Sequence, residues 1–114
     1  MGDERWREGG GRQGPIERGL AGGAPGDRRG DMALGSVKAA VTVIEYASLG
    51  CSHCATWARE VFPAFKAKYI DTGKARVVFR EMLYGDPALA AAGSLTARCA
   101  RRDRYFQVAD AVFA

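Results

Sequence analysis

The chain has 114 residues, 47% of them hydrophobic and 26% charged, which limits it to one domain and sets it, as a whole, outside the disordered class. No apolar run approaches the ~18–20 residues that span a bilayer, so no membrane-spanning helix is expected. The net charge of +4 is well mixed: the first thirty residues hold six Arg against five acids, and the rest holds eleven basic residues against eight acids. The one cluster, Arg98, Arg101, Arg102 and Arg104, reads as a helix C-terminus running into a solvated turn. A nucleic-acid surface needs more basic side chains on one face, interleaved with aromatics, so no nucleic-acid partner is expected.

Residues 1–30 carry ten of the fifteen glycines, with Pro15 and Pro25, and show no hydrophobic period. The segment is expected to be a disordered Gly/Arg-rich tail, either a flexible basic arm or an upstream stretch included by a misplaced start. It lacks the apolar core of a secretory signal, and Arg28-Arg29 is followed by Gly-Asp rather than by the apolar stretch of a twin-arginine signal. The domain is expected over 31–114.

From Val41 the pattern changes. Val41–Ala47 is β-branched and nearly continuous, as in a central strand buried on both faces. After the turn Ser48-Leu49-Gly50, a helix is predicted from about Cys51 to Tyr69, with Cys54, Ala58, Val61 and Phe65 on its inner stripe and a kink at Pro63. Asp71-Thr72-Gly73-Lys74 turns the chain into a second strand, Ala75–Glu81, completing a βαβ unit. Asp86-Pro87 has the form of an N-cap followed by proline at the first helical position, and the helix behind it runs to about Ala100. Ala88, Ala92, Leu95 and Cys99 share one face of that helix and are expected to pack inward. A last amphipathic segment opens at Asp103 and aligns Phe106, Ala109 and Phe113.

Cys51-Ser52-His53-Cys54 is the informative stretch. Cysteines three residues apart in a first helical turn lie close enough for a disulfide. Cys51 stands where unpaired amides and the helix dipole favour a thiolate, whereas Cys54 continues the apolar stripe and is expected to be the more buried. His53 adds a cationic influence when protonated. An exposed low-pKa thiol beside a shielded partner suits thiol–disulfide exchange, and a CxxC that follows a strand and opens the helix of a βαβ unit is far more specific than CxxC alone. The rival is a zinc site formed by Cys51, His53, Cys54 and Cys99, although paired zinc knuckles are lacking. Glu45, six residues before Cys51, is a carboxylate in a strand that is otherwise apolar. It either meets Arg80 on the neighbouring strand or lies under the helix start, where it can exchange a proton with Cys54.

Val43-Ile44-Glu45-Tyr46 leading into Cys51-Ser52-His53-Cys54, then Val61-Phe62-Pro63 and Tyr69-Ile70-Asp71-Thr72-Gly73-Lys74, resembles the DsbA-like proteins of the thioredoxin fold. The resemblance continues through Asp86–Ala91 and Asp103–Phe106. It implies an α/β, thioredoxin-like βαβ unit followed by helices of a DsbA-type helical insertion. It further implies Cys51 as nucleophile, Cys54 as resolving thiol, His53 as the residue that destabilises the disulfide, and Glu45 as the buried acid. Ser52 departs from the proline common there. No proline follows the second helix, so the cis-proline half of the family's domain is not in this chain and the domain is read as truncated. The implied activity is protein thiol–disulfide oxidation in the periplasm, without a signal peptide in this chain. It needs no cofactor beyond the Cys51–Cys54 pair, and its partners are reduced substrate proteins and a reoxidising or reducing protein. The alternative is a non-catalytic thioredoxin-like module or interaction remnant.

Overall fold

The computed structural model describes residues 19–20, 30–100 and 104–113. Four strands form one sheet in the order β1-β2-β4-β3, where β1 is Gly19–Leu20, β2 Met32–Leu34, β3 Val41–Ala47 and β4 Ala75–Glu81. β3 and β4 run parallel in the register Val43↔Val77 and Glu45↔Phe79, and β2 joins the other edge of β4 antiparallel, with Ala33 opposite Val78. The bounds of β3 and β4 coincide with the runs read from the sequence.

Their places in the sheet do not. β4, with strands on both sides, is buried along most of its length, and β3 forms the edge of the described sheet. Val41, Ile44 and Tyr46 are exposed, which corrects the expectation of a β3 buried on both faces. The β-branched run reports strand propensity; burial depends on neighbours. β1 lies within the tail expected to be disordered, and its two residues pair with Ala33 and Met32 of β2. The other tail residues, 1–18 and 21–29, lie outside the described residues.

The β3–β4 crossover is one long helical rod with two π-helical turns: α1 (Ser52–Thr56), a π turn (Trp57–Val61), α2 (Phe62–Phe65) and a second π turn (Lys66–Ile70). The first π turn ends two residues before Pro63, where a regular helix would lose a donor and meet the proline ring. Looser winding also changes the inner stripe. Residues four apart drift forward around an α-helix and backward around a π-helix. Over the mixed rod, therefore, Cys54, Ala58, Phe62, Lys66 and Ile70 stay on one side. Phe62, Lys66 and Ile70 are buried and Val61 is exposed, so the expected inner position of Val61 passes to Phe62. The buried Lys66 ammonium is matched by Asp71 at 2.8 Å.

α3 (Pro87–Cys99) starts on the expected cap, with the Asp86 carboxylate accepting from the Leu89 N–H at 3.0 Å. It turns the opposite face inward from the one expected: Ala90, Gly93, Ser94 and Ala97 are buried, whereas Ala88, Ala92, Leu95 and Cys99 are exposed. The small residues allow close approach, since a Cβ on Gly93 would stand 3.0 Å from Val112 and 3.2 Å from Leu49. α4 (Tyr105–Phe113) lays Tyr105, Ala109 and Phe113 on the sheet, where with Met32, Ala47, Leu49, Phe79 and Ala97 they form the main core. Burying a side chain such as Phe79 contributes roughly 1.5–3 kcal/mol.

Within the expected basic cluster, Arg98 is a structural ligand. It donates to Glu81 at 2.8 Å and to the Gly30 carbonyl at 3.0 Å, while the Tyr105 hydroxyl donates to the same carboxylate at 2.6 Å. Arg104 is exposed, and Arg101 and Arg102 lie outside the described residues. Among the described residues no helix is long and apolar enough to cross a membrane.

Candidate redox site

Two loops at the C-terminal ends of the parallel strands build the site. The turn after β3 is folded around Ser48, which is fully buried: its hydroxyl donates to the Tyr84 carbonyl at 2.7 Å and accepts from the Gly50 N–H at 3.2 Å. The loop after β4 answers with Met82 N–H to the Ala47 carbonyl at 2.8 Å and Asp86 N–H to the Gly50 carbonyl at 3.1 Å. Gly50 and Gly85 interlock so closely that a Cβ on either would run into the other loop's backbone, and Gly85 has a φ of +80°. The chain entering the Cys51 helix is thereby pinned to the loop that carries Tyr84.

Cys51 is the N-cap of α1, with extended backbone angles, and its own N–H donates to the Ser48 carbonyl at 3.1 Å. Its thiol is held below the ordinary value chiefly by the backbone N–H of Cys54. The Cys54 thiol, the His53 N–H and the Tyr84 hydroxyl act in the same sense, against a partial desolvation. Cys54, one turn on, packs against the core and has its sulfur 3.3 Å from the Tyr84 hydroxyl. Both thiols are free and half-buried, so the difference between them lies in hydrogen bonding, and the expected difference in exposure does not appear.

The His53 side chain is exposed, and its residue reaches Cys51 through the main-chain N–H. Glu45 is half-buried and lines a cavity of about 30 Å3 with Ala58, Phe62, Val77, Phe79, Phe106, Ala109, Asp110 and Phe113. Ala58 lies one turn beyond Cys54 in the rod, which puts the cavity beneath the helix that carries the thiols. A space of this size accommodates a water molecule. Burial pushes the Glu45 carboxyl up to about 7.

The alternative contact from Glu45 to Arg80 is not formed. The register sets Glu45 opposite Phe79, whereas Arg80 is opposite Tyr46, on the other face of the sheet. There it donates to Asp31 at 2.9 Å and to the Tyr46 hydroxyl at 3.0 Å. The four-residue zinc set fails on geometry as well. Cys99, expected in the core, is exposed at the end of α3, and among the described residues no three His, Cys, Asp or Glu side chains converge to hold a metal ion.

Tyr84 is the site residue that sequence reasoning missed. It belongs to the short connection before the Asp86-Pro87 cap, and no periodicity or motif marks it. The one available signal was its place after β4, the strand parallel to the one that feeds Cys51.

A family model described as thioredoxin matches residues 27–114. A protein of Rickettsia typhi, provisionally named a protein-disulfide oxidoreductase, is 48% identical over 69 residues, which is 60% of this chain and 25% of the relative. Among solved structures, alpha-DsbA1 of Wolbachia pipientis superposes with a TM-score of 0.64 at 41% identity, over 73% of this chain and 41% of that one. BdbD of Bacillus subtilis, in its oxidised form, superposes with a TM-score of 0.65 at 25% identity, over 73% of this chain and 46% of that one. The chain thus spans about a quarter of the curated relative's length and under half of the solved ones.

Proposed function

The chain belongs to the thioredoxin family, on its DsbA-like branch, and from that premise we propose that it is a protein thiol–disulfide oxidoreductase. In this reading it passes a Cys51–Cys54 disulfide to the thiols of substrate proteins. The observation that carries the proposal is the placement of the two thiols: Cys51 is the N-cap of α1, its pKa lowered chiefly by the Cys54 N–H, and Cys54 follows one turn on, packed against the core. A thiol with a lowered pKa is a stable leaving thiolate, which suits Cys51 as the sulfur exchanged with substrate.

The exchange runs in two displacements. A substrate thiolate attacks the Cys51 sulfur of the oxidised pair, the Cys51–Cys54 bond breaks, and Cys54 leaves as a thiolate that takes up a proton. Glu45, whose carboxyl titrates near neutrality, is the proposed source of that proton. A second substrate thiolate then attacks the substrate sulfur of the mixed disulfide and releases Cys51 as its thiolate. The substrate loses two electrons and two protons, and the pair gains the electrons. An oxidising partner protein of the disulfide-exchange class restores the disulfide. The exposed Met82 and Leu83, in the loop beside the thiols, offer apolar contact to an unfolded substrate chain. An oxidising compartment such as the periplasm is where such a disulfide persists.

The test equilibrates the chain with glutathione buffers of graded potential, quenches in acid, alkylates and maps the thiols by mass spectrometry. Reversible loss of two hydrogens confined to the peptide holding Cys51 and Cys54, unchanged in Cys99→Ser, supports the proposal. Pairing that involves Cys99, or no pairing, overturns it.

A further inference from the structure

We propose that Tyr84 is a working member of the redox centre: its hydroxyl, delivered by the β4–α3 loop, donates a hydrogen bond to the thiolate form of the Cys51–Cys54 pair and so makes the disulfide a stronger oxidant. The inference rests on the proposed redox role of that pair and adds to it a residue from outside the CxxC helix.

The placement of Tyr84 is polar. The residue is 41% exposed, so apolar burial does not hold its ring. Its main chain is fixed instead: the Tyr84 carbonyl takes the hydroxyl of the fully buried Ser48 at 2.7 Å, and two residues on, the Asp86 N–H is bound to Gly50 at 3.1 Å. Between them Gly85 adopts the positive φ that permits the close crossing of the two loops. The same contacts that set the entry of the Cys51 helix therefore set the hydroxyl 3.3 Å from the Cys54 sulfur.

The direction of the effect follows from charge. A hydrogen bond to an anionic sulfur is stronger than one to a neutral disulfide sulfur, so the donor stabilises the reduced form more than the oxidised form. Next to the thiols the phenol is itself pushed up to about 12, so it remains protonated, and a donor, across the range in which Cys51 ionises. The Cys54 thiol and the Tyr84 hydroxyl both lower the Cys51 pKa, and the hydroxyl lies 3.3 Å from the Cys54 sulfur, within reach as a donor to the thiolate.

The test is Tyr84→Phe, which keeps the ring and removes the hydroxyl, with Tyr69→Phe as the remote control. Thiolate absorbance against pH and the glutathione equilibrium constant are measured for both variants and for the unaltered chain at low concentration. Tyr84→Phe should shift the equilibrium toward the disulfide by roughly three- to tenfold and raise the Cys51 pKa. Tenfold corresponds to a potential about 30 mV more negative. Tyr69→Phe should shift neither. An unaltered potential and titration in Tyr84→Phe, or an equal shift in Tyr69→Phe, overturns the role of Tyr84. Absence of a Cys51–Cys54 disulfide in the unaltered chain overturns the redox reading beneath it. Should Tyr84→Phe fail to fold, the unaltered sequence labelled with 3-fluorotyrosine decides. The Tyr84 fluorine resonance is expected to move with the thiolate titration, and a resonance that stays constant refutes the contact.

Discussion

Replacing Glu45 by glutamine separates the buried-acid account from a merely tolerated surface carboxylate. Burial raises the Glu45 carboxyl from 4.5 to about 7. Its folded-state pKa therefore lies above the unfolded one, and the protonated side chain contributes its stability in full below pH 4.5. That stability is lost as the pH rises toward and through 7, because the folded protein must then ionise a carboxyl in an apolar cavity or take up a proton that the unfolded chain has released. A shift of 4.5 to about 7, at ~1.4 kcal/mol per unit, amounts to about 3 kcal/mol. The glutamine side chain carries no charge at any pH, so the stability difference between Glu45→Gln and the parent should change by about 3 kcal/mol between pH 4 and pH 8, in favour of the variant at pH 8. Any fixed cost of the amide cancels in that change. Urea unfolding followed by far-UV circular dichroism at several pH values measures it. A difference that stays constant across the range would show that Glu45 is not desolvated and would remove it as a proton source for Cys54.

Iodoacetamide near pH 6 should modify Cys51 well ahead of Cys54 and of Cys99, whose greater exposure makes it the internal control; equal rates at all three thiols would refute a depressed Cys51 pKa. His53→Ala removes only an exposed side chain, whereas His53→Pro also deletes the main-chain N–H that lowers the Cys51 pKa. Both variants should therefore give a more negative potential, His53→Pro by the larger amount, at ~30 mV for each unit by which the Cys51 pKa rises, and an unchanged potential in His53→Pro would discard both contributions. With β3 at the edge of the described sheet and Val41, Ile44 and Tyr46 exposed, the chain should associate as its concentration rises, and Ile44→Lys should weaken that association in sedimentation velocity. Equal association of parent and variant would remove the edge as its cause.

Much of the frame was legible because the cues were local. The β-branched runs mark β3 and β4 to the residue, Asp86-Pro87 marks the start of α3, and CxxC behind a strand marks the thiols and their helix. Properties set by distant partners escaped. Met32-Ala33-Leu34 is too short to show a period, so β2 was missed, and with it the central place of β4. In α3 bulk alone favours the face of Leu95 and Cys99 as the inner one, yet the close approach of Leu49 and Val112 selects Ala90, Gly93 and Ala97 and leaves those two outside. The rod's inner stripe failed at Val61 because two π turns change its winding. Tyr84 reaches Cys54 across 30 residues of chain, and no spacing rule could have joined them.

The central claim is that Cys51 is the sulfur that meets substrate, and trapping tests it most directly. In Cys54→Ser, with Cys51 first capped as a mixed disulfide with an aromatic thiol, addition of an unfolded protein that carries a single free cysteine should release the aromatic thiolate and leave the substrate joined to the chain. Without Cys54, no internal thiol one turn away can break that bond. Peptide mapping is expected to place the linkage at Cys51. Linkage through Cys99, or release of the cap with no protein adduct, would contradict the account.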